Sequence, residues 1–230
     1  MVVALSITDV VAIMYPSGFR PLAYTINEIE KRKRYKPKRY NRPNDASLND
    51  STRGLSFRAK ALYDLATSNI ERNENSFGEL TKSTGIGELS PTERVFFDRA
   101  VQKFRGCLLE RRALEADPSI KSVDLTFRTK VYKIGNASLE FTGRIDGVMK
   151  DNEKILVEIK ARAPHNEPQD YEQAQVQLYM HFLDFEKAAL VYRHNKKNTT
   201  VMVEKDPFFW EFNVEPALRQ FVDANLSLFK

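Results

Sequence analysis

Three ionisable residues in the middle of the chain stand where apolar residues belong. In FTGRIDGVMKDNEKILVEIKAR, residues 141–162, Asp146 interrupts one apolar run, and Glu158 and Lys160 interrupt the next. Desolvating such groups inside strands costs several kcal/mol unless something pairs with them. Side chains alternate across a strand, so Glu158 and Lys160 leave one face while Val157 and Ile159 leave the other, toward a core. On the preceding run Asp146 shares its face with Arg144. The polar stretch KDNEK between the runs reads as a compact turn, and a hairpin closed there sets Asp146 beside Glu158 if the register matches. Two adjacent carboxylates repel, and an oxygen-preferring dication such as Mg2+ or Mn2+ removes that cost. Such an ion acidifies a bound water, and a neighbouring ammonium can orient that water or neutralise charge growing on a phosphate. Metal, water and cation together describe phosphodiester hydrolysis. A carboxylate pair alone does not.

The order Gly143-x-x-Asp146, eleven residues, Glu158-x-Lys160 resembles the PD-(D/E)xK nuclease superfamily, and within it the RecB-like and viral-type exonuclease branch. That branch carries Gln-x-x-x-Tyr on the helix after the motif strand. Gln175-Val-Gln-Leu-Tyr179 occupies that place, and residues four apart share a helix face. The resemblance spans roughly residues 54–180 and implies a restriction-endonuclease-like core and a divalent-metal-dependent nuclease, usually acting on DNA. It implies Asp146 and Glu158 as metal ligands, the backbone carbonyl of Ile159 as a third, and Lys160 as the catalytic cation. Gln175 and Tyr179 would position substrate.

The sequence departs from this family in two places. RecB-like nucleases commonly carry a His, and related viral and phage exonucleases a Glu, on an early helix as a further ligand. In GLSFRAKALYDL the residue four after Gly54 is Arg58. An arginine cannot ligate a cation, although it grips phosphate well. Asp64 and Glu110 are the acids considered in its place. The opening LSITDVVAIMYPSGFRPLAY resembles that of CRISPR-associated and eukaryotic RecB-like exonucleases, where a Cys helps hold an iron–sulfur cluster. Here Ser17 follows Pro16 and Cys107 is the only thiol, so no iron–sulfur cluster is expected.

The elements that must position these residues follow from periodicity. Helices are expected near Val10–Met14 (capped by Ser6 or Thr8), over 54–67, over 90–114, over 170–185, and at the end of the chain over 214–229. The third of these opens with a capping box, Ser90 and Glu93 around Pro91. Strands are expected at 122–134, 138–150, 154–162, 187–195 and 199–206. The order suggests an α/β (α+β) fold, one domain over residues 1–230, with a mixed central sheet flanked by helices.

The charge is uneven. The chain carries net +5, yet KRKRYKPKRYNRP (31–43) holds eight Lys or Arg and no acid, so all else is net negative. Residues 31–53 read as a flexible basic loop. Lys31, Arg32, Lys33, Arg34, Lys36, Lys38 and Arg39, with Arg58 and Arg144, are the candidate nucleic-acid contacts, and Tyr35 and Tyr40 could stack on bases. A nuclear-localisation signal is another reading of the same run. No apolar stretch has the length of a membrane span and no secretory leader is visible, so a soluble, intracellular protein, cytoplasmic or nuclear, is expected. His165, His181 and His194 read as loop, structural and turn residues, and Trp210 as core or a subunit contact. Taken together, the residues point to a deoxyribonuclease, an exonuclease of recombination, repair or replication, with a homo-oligomer compatible with that work. An RNA-cleaving endonuclease and a catalytically inactive nucleic-acid-binding module remain the alternatives, the second because the early His or Glu is missing.

Overall fold

The computed structural model describes residues 2–17, 20–34, 55–72, 89–163 and 167–229. Strands β1 (Val2–Ser6), β2 (Ile120–Arg128), β3 (Tyr132–Ile134), β4 (Ala137–Met149), β5 (Ile155–Lys160), β6 (Lys187–His194) and β7 (Lys197–Glu204) form one mixed sheet. Helices α1 (Ile7–Met14), α2 (Leu22–Arg34), α3 (Phe57–Arg72), α4 (Pro91–Ala116), α5 (Asp170–Leu183) and α6 (Glu215–Ala224) complete the regular elements. The expected mixed sheet flanked by helices is the one observed. No helix among the described residues is long and apolar enough to cross a membrane.

The part of the fold that carries the candidate site runs α4, β2, β4, β5, α5, β6. Strands β2, β4 and β5 form an antiparallel meander, and β6 returns parallel to β5 across α5, the crossover a parallel pair requires. Leu156, Leu190 and Tyr192 pack toward Val176 and Met180 of α5, whereas Val157, Ile159, Ala189 and Val191 pack with Ala113 of α4. Both faces of β5 and β6 are therefore covered, which is why their apolar runs are nearly continuous and why their ionic residues stand out.

Helix α4 begins as its sequence demands. The Ser90 hydroxyl accepts from the Glu93 backbone N–H at 3.3 Å, and Glu93 accepts from the Ser90 N–H at 3.1 Å. The same device starts α1, where Ser6, not Thr8, is the cap and Asp9 closes the box at 2.7 Å.

Several elements differ from the sequence expectation: α2 as a whole is not among the expected helices, and the closing helix expected over 214–229 ends at Ala224, followed by a 3-10 turn over Leu226–Phe229. Residues 2–6 form a strand, β1, whose partner β4 begins at residue 137; no local period announces so distant a pairing. The segment 122–134 is two strands, because at the corner between them Thr129 exchanges backbone and side-chain hydrogen bonds with Phe141. Helix α3 runs on to Arg72. Finally, Lys31–Arg34 are the last turn of α2 and not a loop. Lys and Arg are good helix formers, Ile29 is buried, and Lys31 bonds Glu28 at 2.8 Å, three positions back. Tyr35, Lys36, Lys38, Arg39 and Tyr40 lie outside the described residues.

Gly106 sits in the middle of α4, and a Cβ built on it would meet no described atom within 4 Å. Mid-helix glycine costs about 1 kcal/mol relative to alanine. Gly106→Ala should therefore stabilise the protein by about that amount, read as a rise in the urea midpoint with unchanged slope.

Candidate active site

The site lies where the sheet forks. Strands β2 and β3 together occupy one edge of β4 along its length. On the other edge, β1 pairs with Ser138–Thr142 in parallel and β5 pairs with Gly147–Val148 in antiparallel fashion. The C-terminal ends of β1 and β5 therefore approach each other head-on, and β4 residues 143–146 have no strand partner between them. The register pairs Gly147 with Val157, so the next pair would be Asp146 and Glu158, as the hairpin reading required. The ladder stops there instead. The Asp146 carboxylate takes the Ile159 N–H at 2.8 Å, satisfying a backbone donor that β4 no longer bonds.

Around this fork the acids and the lysine form one network. Lys160 Nζ donates to Glu158 Oε1 at 2.9 Å and to Gln175 Oε1 at 2.7 Å. Gln175 Nε2 in turn donates to Glu158 Oε1 at 2.8 Å and to the Tyr179 hydroxyl at 3.2 Å. The amide thus reads its neighbours by polarity, with its oxygen on the cation and its nitrogen on the anion. Glu158 is buried at 6% exposure, so its pairing with Lys160 offsets a real desolvation cost. Both of these hydrogen bonds to Glu158 fall on the same oxygen, Oε1.

Tyr179 has a different role from the one expected of it. At 4% exposure it cannot touch substrate. Its ring packs edge-on against Phe127, with centroids 6.0 Å apart, and both rings press on Gly143. A Cβ at residue 143 would come within 2.8 Å of Tyr179 and 2.6 Å of Phe127. The glycine of the motif is therefore the clearance that lets Tyr179 stand under Gln175.

The charges follow the geometry. Burial first, then the charges of Glu158 and Glu110, push the Asp146 carboxyl well above the usual carboxylate range. Burial pulls the Lys160 ammonium down, but the bond and charge of Glu158, with Glu172 and Asp146, more than offset it and hold it above the usual lysine value. Burial and Glu158 also push Tyr179 well up, so it remains a neutral hydroxyl. Arg144 completes the site. Its guanidinium stands 3.4 Å from Glu110 of α4 and 3.9 Å from Asp146, placing a cation between two acids.

Just past the end of β5, Arg162 donates to the buried Glu172 of α5 at 3.0 Å, and the Tyr192 hydroxyl donates to the same acid at 2.9 Å. Glu172 also receives the Gln169 N–H that opens α5, so one acid ties the end of the motif strand to the helix bearing Gln175. Sequence reasoning passed over both Glu172 and Arg162. Their signal was available: Arg162 continues the alternation of Glu158 and Lys160, and Glu172 sits three before Gln175 on an otherwise core-facing helix.

The other expected residues are scattered. Arg58 is exposed on α3, near Glu93 at the start of α4. Glu93 lies 17 positions from Glu110, roughly 25 Å along the helix. Asp64 is exposed on the same helix as Arg58. Lys31 and Arg32 lie on α2, where Arg32 pairs with buried Asp9 at 2.7 Å, and Lys33 and Arg34 are on its last turn. His165 lies outside the described residues, His181 stacks on Trp210 with centroids 4.8 Å apart, and Trp210 packs on Tyr132, Phe141 and Phe182.

The donor set suits an oxygen-preferring dication: two carboxylates that repel, one with its proton affinity raised. No group of three His, Cys, Asp or Glu side chains placed to hold a metal occurs among the described residues. Glu110 is near enough to raise Asp146 but is turned toward Arg144.

No family model matches the sequence, and no curated protein does. Solved structures resemble the fold. The protein SSO0001 is 14% identical, with a TM-score of 0.43 over 98% of this chain and 76% of its own. An alkaline exonuclease from Laribacter hongkongensis is 11% identical, with a TM-score of 0.43 over 98% of this chain and 91% of its own. A phage-related exonuclease from Haemophilus somnus 129PT is 10% identical, with a TM-score of 0.39 over 97% and 95%. These are likenesses of fold, at identities too low to carry residue roles.

Two outcomes test the site. Gly143→Ala should destabilise by about 1–3 kcal/mol through overpacking, and Tyr179→Phe in the same background should not restore it, since the ring and not the hydroxyl is in the way. The second concerns pH. A carboxyl whose folded pKa is raised gives stability that is present below its unfolded pKa and lost as pH rises through the folded one. The melting temperature in chelator should therefore fall as pH rises above the ordinary carboxylate range in the native protein and stay flatter in Asp146→Asn.

Proposed function

We propose that this protein is a divalent-metal-dependent nuclease that hydrolyses phosphodiester bonds of DNA, working as an exonuclease on DNA ends. The observation that supports it best is the network at the fork: two adjacent acids, one carrying a raised pKa, with a charged lysine fixed between Glu158 and Gln175. A core with no chemical task would gain stability by replacing such a cluster with apolar residues.

In this reading Asp146, Glu158 and the Ile159 carbonyl would hold Mg2+ or Mn2+, which when bound supplies a Lewis acid for the phosphoryl oxygen and an acidified water. The chain's own residues do the rest. Lys160, kept charged by Glu158, holds its ammonium toward the acids where negative charge grows on the phosphate. Gln175 fixes the direction of that ammonium, and Tyr179 fixes the amide by accepting its second N–H. Arg144 exchanges its acidic partners for a phosphate oxygen when substrate arrives, which frees Glu110 as a further ligand in place of the missing early His. The Laribacter exonuclease and its phage-related counterpart share the fold and not demonstrably the site, so the reading stands on these residues.

Purified protein with Mg2+ should shorten linear DNA. Lys160→Ala should lower kcat by a factor of about 10^3 or more, as loss of a preorganised electrostatic contact does, while Mn2+ affinity measured by calorimetry stays within a few-fold. Full activity in Lys160→Ala would end the assignment, and parallel digestion of labelled RNA decides between deoxyribose and ribose.

A further inference from the structure

The face of α4 that brings Glu110 to the acids carries cations further back. Lys103 stands seven residues before Glu110 and so shares its face of the helix, and Arg99 is one turn before it. Arg99 reaches α2, where its guanidinium lies 5.7 Å from the centre of the Tyr24 ring. Arg20 lies over the same ring at 5.3 Å. Lys31, on α2, is close enough to feel both Tyr24 and Arg99. Among the described residues neither Arg99 nor Lys103 has an ion-pair partner. Arg20 shares the carboxylate of Asp9 with Arg32, at 2.7 Å each.

Cations converging on one exposed tyrosine repel, as the acids at the fork do, and call for the opposite partner. Between the two clusters lies Gly106, three residues after Lys103 and four before Glu110, with open space where its side chain would be. A glycine that weakens its helix and relieves no contact leaves room for something to lie against the backbone.

We propose that a single strand of nucleic acid runs along α4 from the fork, passing over Gly106, with its phosphates on Lys103, Arg99 and Lys31. The proposal rests on the nuclease reading and extends it to the form of the substrate. Eleven positions separate Glu110 from Arg99, about 16 Å of helix, which spans up to about five nucleotides at the ~3.4 Å spacing of a stacked strand. A guanidinium over an aromatic ring keeps its N–H edges free for phosphate, and phosphate contacts add affinity without sequence preference. Substrates that end within this distance of the cut bond are bound poorly.

The test is fluorescence anisotropy with labelled oligothymidylates of two to ten nucleotides, in the Lys160→Ala background so that nothing is cut. Affinity should climb with length to about five nucleotides and then level off. Arg99→Ala with Lys103→Ala should abolish the climb, weaken long strands tenfold or more and reduce the salt slope by about 1.4, the value for two single-strand phosphate contacts. Gly106→Leu should fold and melt no lower than the native chain yet bind long strands as poorly as short ones. If the double variant keeps both length dependence and salt slope, or Gly106→Leu binds normally, the path is wrong, while Mn2+ binding lost in Asp146→Asn would leave the nuclease reading standing. If the native chain binds neither Mn2+ nor any strand, both fail together.

Discussion

The mutual repulsion of Asp146 and Glu158 governs the design of this molecule. Two carboxylates brought side by side in a sheet interior are unfavourable, and every nearby polar group answers that cost. Lys160 sits on Glu158 at 2.9 Å, Arg144 stands between Asp146 and Glu110, and the Ile159 N–H caps Asp146 at 2.8 Å. Even so, burial and the neighbouring acids leave Asp146 with a raised pKa. The protein cations balance the acids incompletely. That residual imbalance is what a dication would relieve, and it ties metal affinity, proton release and stability to one pair of side chains.

The fork makes the arrangement accessible. Had β5 continued to pair with β4, the Ile159 N–H would be engaged by backbone and Asp146 would point from a closed sheet. β1 occupies the lower part of the same β4 edge, and β5 leaves the ladder after the Gly147–Val157 pair, where the Ile159 N–H turns to the Asp146 carboxylate. The divergence is held by the Glu172 cluster, which ties Arg162 and Tyr192 to the start of α5. Topology, and not local propensity, thus creates the break in the ladder at which the two acids meet.

Much of this was legible in the sequence. The acids announced themselves by breaking apolar runs, KDNEK set a hairpin whose register brought them together, and Ser90-Pro91-x-Glu93 marked the start of α4. The four-residue spacing of Gln175 and Tyr179 gave their common direction. It did not show that Tyr179 is buried and works through Gln175, because spacing fixes a face and not depth. β1 escaped notice because five residues contain too little period to identify a strand whose partner is more than a hundred positions away. All of α2 escaped, its first turns because the segment after Pro21 carries no clear apolar stripe and its last turn because a run of charge hides helical propensity, and the pairing of Arg20 and Arg32 on Asp9 depends on α1 and α2 packing together.

The most direct test of the central claim is a crystal structure determined with Mn2+, using the anomalous signal of the metal to locate it. The account predicts one strong peak bridged by carboxylate oxygens of Asp146 and Glu158, with Arg144 turned away from Glu110. Manganese bound elsewhere, with those two side chains still held by Lys160 and Arg144 alone, would contradict it.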